Sequence, residues 1–492
     1  MSLNALSRRD LLKGGVGLSA VTMLVATGGC EQIVEQIRTR PVRKSVTSPD
    51  AAGDIAIYND AVAAMRALPS SDPRNWNAQA QIHFDFCPHG NWYFLPWHRA
   101  YLFYFEQICR TLTGEPEFAL PYWNWQADRA IPAPFWTGDL NFSPRSATPS
   151  SMASTSAVGQ SVMEGIFQLT NFEQFASYAS TALRGGTGGG YGELEGTPHN
   201  YIHGFVGGTM ATFQSPRDPV FWCHHNMIDC SWAHWNIARG NVNTDDPQWT
   251  QFDLAGMFVD GDGDPASMTC GLTVILPLIS YAFQPSPKGD MNAAGAGGGA
   301  GAMAEADRDR LREMLEAGGN IRHQVRERFA AAEGVSFAQL RTVSRPIRVP
   351  QAALARATAE GAQESRLLLQ LGDVTPPATN DAFVRVFVNK PDATPDTPID
   401  DPHYAGSFAF FFDSEMRGRM PEMTTPDYYV DVTDTVRDLR QAGMLSDGDS
   451  VELTLVATPF EGRTPQAVSN AIRPLSVGRL DLVTTPTAIK GQ

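Results

Sequence analysis

The chain has 492 residues, of which 42% are hydrophobic and 18% charged, a globular composition long enough for two or three domains. A formal net charge of -15 argues against a phosphate-backbone partner and excludes nucleic acid on that ground. Ten histidines are present, eight of them between residues 83 and 234, and that crowding points to a metal enzyme.

Residues 1–30 read as an export leader. Ser7-Arg8-Arg9-Asp10-Leu11-Leu12-Lys13 is close to a twin-arginine signal, with Leu11 at the usual Phe position. The apolar stretch from Gly14 to Gly29 is short for a membrane span of roughly 20 residues. The leader implies a periplasmic, envelope-bound or secreted product. Small residues before Cys30 offer lipid anchoring there as an alternative to simple cleavage, although Thr27 stands where a lipobox has Leu. The cysteines (Cys30, Cys87, Cys109, Cys223, Cys230 and Cys270) have irregular spacings and no CxxC, so no disulfide framework is indicated.

Helical periodicity begins near Asp50, where Ile55, Tyr58, Val62, Met65 and Leu68 share a face, and Pro69 ends it. A second helix is expected after Ser71-Asp72-Pro73, capped by Asp72 or Ser71 and carrying Ile82, His83 and Phe86. A third is expected from about Pro96 to Leu112, stopping at Gly114. A long irregular stretch and the Gly-rich loop Gly185–Gly192 follow. A fourth helix holds His199 and His203, and a fifth runs from about Asp218 to Ala238. Residues 31–285 thus form a mainly α catalytic core with long loops. Residues 286–302 read as a Gly/Pro-rich linker and 303–375 as a charged helical segment. Residues 376–492 form a small β-rich C-terminal domain, with strands near Phe383–Val388, Ser407–Phe412, Tyr428–Val432, Val451–Val456 and Leu480–Val483 and a helix over Thr433–Ala442.

Two groups of histidines stand out. His199 and His203 are four apart and share one helical face; His225, on the next helix, shares a face with Phe221 and Asp229. His83 lies on a helix, His89 in the loop after it and His98 at the start of the third helix. Two all-imidazole sets suit copper better than calcium or magnesium, and zinc would also accept three histidines.

The segments His83-Phe84-Asp85-Phe86-Cys87-Pro88-His89, Phe94-Leu95-Pro96-Trp97-His98-Arg99, Pro121-Tyr122-Trp123-Asn124-Trp125, Glu195-Gly196-Thr197-Pro198-His199-Asn200-Tyr201-Ile202-His203 and Asp218-Pro219-Val220-Phe221-Trp222-Cys223-His224-His225, with Asp229, Trp232 and Tyr281-Ala282-Phe283, carry a resemblance. On them the sequence resembles the tyrosinase / polyphenol oxidase family of type-3 copper proteins. The resemblance implies a helical bundle holding two copper ions, the first on His83, His89 and His98 and the second on His199, His203 and His225. His224 then stands beside a ligand, and His234, His323 and His403 match no ligand position. Cys87 with His89 resembles the family's thioether pair. Phe221 matches its aromatic residue near the second copper, and Asp229 a residue that orients groups on that helix.

Glu195 and Asn200 occupy the places where family members hold a water that acts as base. The implied reaction is dioxygen-dependent oxidation of small phenols: o-diphenols to o-quinones, with ortho-hydroxylation of monophenols. The same motifs serve catechol oxidases, o-aminophenol oxidases and haemocyanin-like dioxygen carriers, and a zinc hydrolase is a further alternative. The C-terminal strands resemble the last domain of plant-type members, which shields the active site, so a lid is expected. Two departures matter: Cys230 follows Asp229 where the family has Arg, and residues 303–375 do not match the intervening plant domain.

Overall fold

The computed structural model describes residues 40–284, 327–330, 334–337, 342–358, 365–411, 425–445, 450–461, 463 and 475–485. The leader, Cys30 and the linker expected from sequence lie outside the described residues.

Five helices position the site. Helix α1 (Ala52–Ala67) packs Tyr58, Ala61, Val62 and Met65 inward. Helix α2 (Trp76–Phe86) begins at Asn75, whose side chain accepts from the Asn77 N–H at 2.9 Å. The expected Asp72 cap is therefore replaced: Asp72 accepts from the Arg74 N–H and guanidinium instead, so the turn forms before the helix and the next side-chain oxygen caps it. Helix α3 (Phe94–Thr113) is apolar around most of its circumference and buries nearly every residue to Cys109. It stops at Gly114, in the left-handed region at φ 73°.

The fourth helix opens with a π-turn over Glu195–His199, with Pro198 inside it, and continues as α4 (Asn200–Val206). A proline cannot donate the ordinary helical hydrogen bond, and the wider turn accommodates this. Helix α5 (Val220–Ala233) is buried on every side and ends in a second π-turn, His234–Ala238. The N-terminal arm closes the core: Val42–Arg43 pairs in parallel with Ala282–Phe283.

The C-terminal part is two antiparallel sheets. Its strands are β1 (Thr342–Ile347), β2 (Arg366–Thr375), β3 (Ala382–Val388), β4 (Tyr404–Ala409), β5 (Tyr428–Asp431), β6 (Val451–Pro459) and β7 (Ser476–Thr485). One sheet has the order β4-β3-β6-β1, and the other β5-β2-β7 with Glu327–Ala330 beyond β7. A helix over Thr433–Gln441 interrupts the strands, as expected.

One expectation is corrected. The segment 303–375 was read as helical, yet its described residues include β1, β2 and Glu327–Ala330, with one short helix at Gln351–Thr358. Strand β2 is central in its sheet and buried over Leu367–Leu371 and beyond, so its run Leu367-Leu368-Leu369 shows none of the alternation that marks a half-exposed strand. The β-domain therefore begins before residue 376.

Candidate metal centre

The histidines converge as two adjoining groups. His83, His89 and His98 bring nitrogens within 4.8 Å of one another, and so do His199, His203, His224 and His225. His83 comes from α2 and His98 from α3. His89 comes from the loop that follows Cys87, the buried residue ending α2. His199 comes from the π-turn, His203 from α4 and His225 from α5. The His98 and His225 rings stack at 4.3 Å between centroids, joining the groups.

The proton pattern suits metal binding. In five of these rings Nδ1 faces an oxygen: His83 the Phe213 carbonyl at 2.8 Å, His89 the Glu195 carboxylate at 3.1 Å, His98 the Phe94 carbonyl at 2.8 Å, His199 the Asn200 Oδ1 at 2.9 Å and His203 the Met210 carbonyl at 2.6 Å. An oxygen acceptor calls for Nδ1–H, which leaves the lone pair on Nε2. The Nε2 atoms of His83, His89, His98 and His199 are buried without a hydrogen-bond partner, and those of His203 and His225 lie 3.2 Å apart. Burial pushes all six ligand candidates below the usual histidine range, His98 and His203 to about 3, so the rings are neutral donors to a cation. Orphaned inward nitrogens with anchored outward ones are the arrangement a metal pair requires.

The other expected residues are placed as follows. Glu195 is fully buried and accepts from His89 Nδ1, the Gly90 N–H at 2.8 Å and the Ser177 hydroxyl. Burial pushes its carboxyl up, and the Ser177 and Gly90 donors pull the other way. Asn200 anchors His199 and donates from Nδ2 to the Ala409 carbonyl at 3.0 Å. Phe221 lies edge-on to His83 at 5.0 Å and tilted against His225 at 4.2 Å. Asp229 touches no imidazole. It accepts from Arg99, from Arg43 at 2.8 Å and from the Tyr281 hydroxyl at 2.5 Å. Arg43 also lies over the Tyr281 ring at 3.6 Å, so the arm and the residue after His98 supply the cations that the Cys230 departure removes from α5. His234 sits apart, with Arg239 Nε 3.0 Å from its Nε2.

Sequence reasoning missed the residue that fills the cleft. Phe411, just after β4, lies 4.3 Å from the His203 ring, 4.7 Å from His89, 5.8 Å from His199 and 5.3 Å from Phe213. The only sequence signal was the run Phe410-Phe411-Phe412, which alternation alone assigns to a strand. The anchoring carbonyls of Phe213, Met210 and Phe94 had no signal at all.

Comparison with known proteins agrees with this geometry. Residues 59–178 and 139–238 match the family model of the common central domain of tyrosinase. A latent polyphenol oxidase of Prunus armeniaca is 31% identical over 277 residues, 46% of this chain and 45% of that protein. A tyrosinase of Hahella sp. is 27% identical over 282 residues, 46% of this chain and 60% of its own length. The chain spans about half the length of the curated relatives it matches. A latent aurone synthase (polyphenol oxidase) shares the fold at TM-score 0.65 and 23% identity, covering 92% of this chain and 90% of that one. A latent apple tyrosinase does so at TM-score 0.62 and 20% identity, over 91% and 97%. The histidine groups and the central-domain match converge: residues 59–238 carry a domain similar to the common central domain of tyrosinase, and the two-part fold is shared with a latent aurone synthase and a latent apple tyrosinase.

Proposed function

We propose that this protein is a copper-dependent phenol oxidase that converts o-diphenols to o-quinones and hydroxylates monophenols at the ortho position. The inward, unpartnered imidazole nitrogens behind oxygen-anchored Nδ1 atoms carry the reading. His83, His89 and His98 would hold one copper ion, and His199, His203 and His225 the other. Bound there, the two ions would supply electron transfer between phenol and dioxygen, two catechols giving two o-quinones and two waters per dioxygen.

The protein's own part is positioning. A flat ring fits the space that the Phe411 ring occupies among His89, His199, His203 and Phe213. Glu195 and Asn200 are assigned as the pair that holds a water able to take the phenolic proton of a monophenol. Cys87 is assigned the thioether to His89, which would fix a loop-borne ligand that no helix orients. The C-terminal domain is assigned as a lid: with Phe411 seated, a phenol and Phe411 compete for one place. Export through the twin-arginine-type leader is part of the same reading. Among the described residues, no helix is long and apolar enough to cross a membrane.

The test is oxygen uptake by the copper-loaded full chain and its Phe411→Ala variant, with catechol, a monophenol and an o-aminophenol in parallel. Quinone formation from catechol supports the reading. A two-copper protein with an open cleft that turns over none of them refutes it.

A further inference from the structure

Four imidazoles, not three, crowd the second group. His224 is as buried as its neighbour His225, and its ring lies 5.0 Å from His203, 5.1 Å from His225 and stacked on His199 at 5.5 Å. Proximity alone would make it a fourth ligand.

The proton on its ring decides otherwise. A neutral imidazole carries one ring proton, on Nδ1 or on Nε2. The Trp125 indole Nε1 lies 3.2 Å from His224 Nδ1. An indole N–H only donates, so Nδ1 accepts and the proton sits on Nε2. This is the reverse of His83, His89, His98, His199 and His203, whose Nδ1 atoms face oxygens. At His199 the direction is fixed independently, because Asn200 Nδ2 is engaged by the Ala409 carbonyl and leaves Oδ1 for the ring. A protonated Nε2 has no lone pair for a metal. That nitrogen of His224 is buried without a hydrogen-bond partner.

We infer that Trp125 locks His224 in the Nε2–H form, which removes it from the ligand set and leaves its ring to pack against that of His199. The inference deepens the copper-oxidase reading and assigns a task to Trp125 in the Pro121–Trp125 motif. A ring nitrogen that carries a proton can pack beside a ligand but cannot compete for its metal.

Two measurements on the full chain test it. The first is the histidine tautomer pattern of the metal-free, 15N-histidine-labelled protein, with His224 assigned by its loss in His224→Gln. An Nε2–H pattern for His224 that becomes mixed in Trp125→Phe is expected. An Nδ1–H pattern in the unmodified chain, or no response to Trp125→Phe, overturns the inference. The second is copper per chain after loading. His224→Gln, which keeps an N–H donor, should retain two, whereas His225→Gln should fall to about one. His224→Phe, which keeps a flat ring beside His199 but offers no nitrogen, should retain two as well. Loss of a copper in His224→Gln overturns the inference. Should the unmodified chain bind no copper, the oxidase reading fails, and the tautomer measurement still decides the role of His224.

Discussion

The two histidine groups use the same ring but are held by different parts of the molecule. His83, His89 and His98 take their anchors from Phe213, Glu195 and Phe94, all within the core. The second group reaches across to the C-terminal domain. Asn200, which anchors His199, donates to Ala409; Thr197, in the π-turn, donates to the Ser407 carbonyl; and the ring nearest to Phe411 is His203. Tyr191 stacks on Tyr428 and Tyr178 on Tyr429 at the same boundary. The first group's hydrogen-bond anchors therefore lie within the core, whereas the second group's reach the C-terminal domain; the Phe411 ring touches both, at His89 and at His203. On the proposed lid reading, the polar grip of the C-terminal domain falls on the second group.

Breaking one group at a time gives the largest effect. His203→Ala should leave about one copper per chain and abolish catechol oxidation, read by metal analysis and oxygen uptake. Phe411→Ala should follow. Emptying a buried phenylalanine site costs ~3–5 kcal/mol, enough to shift a closed-to-open equilibrium by roughly a hundredfold or more. Catechol turnover by the full chain should rise accordingly, and an unchanged rate would remove Phe411 from the lid. Glu195→Gln disturbs the first group alone: with the His89 anchor weakened, the first copper should bind about 10- to 100-fold less tightly in an equilibrium competition with a chelator.

Asn200 separates anchoring from chemistry. Asn200→Ala should slow monophenol hydroxylation by about tenfold more than diphenol oxidation, because only the former needs the positioned base. Asn200→Asp keeps an acceptor for His199 but sets a carboxylate oxygen against the Ala409 carbonyl, so basal turnover should rise modestly as the lid loosens.

The smallest effect is on pH. Glu193 accepts the Asp431 N–H at 2.6 Å across the domain boundary, and burial, with Asp431 next, pushes its carboxyl up to about 8. Asp431 itself is raised and lies 3.3 Å from Arg366, with Asp434 on the same arginine at 3.5 Å; Tyr178 and Tyr404 complete the charged and titratable surroundings. An exposed glutamate titrates near ~4.3, so the docked lid binds this proton more tightly than the open one. Docking is then strongest at acid pH and weakens as pH rises through about 8. Full-chain turnover after incubation at pH 5 to 9 should climb with pH, and Glu193→Gln should flatten that climb.

Much of this was legible early. Pro69, Gly114 and the histidine spacings marked the core helices because helical period and chain breakers act locally. The β2 strand was misread because burial on both faces erases alternation, and the cap because Asp72 and Asn75, three residues apart, both offer a side-chain oxygen ahead of the helix. Cys230 looked like a missing interaction, yet Arg43, 186 residues away in sequence, supplies a charge to Asp229.

The sequence by itself determined which histidines exist, which share a helical face, and that they form two sets whose imidazoles suit copper. Only the tertiary structure decided where each ring carries its proton and what covers the cleft. Backbone carbonyls such as those of Phe213 and Met210 are the same in every residue, and Trp125 meets His224 from 99 residues away. Such partners leave no local pattern in a sequence, because folding rather than spacing brings them together.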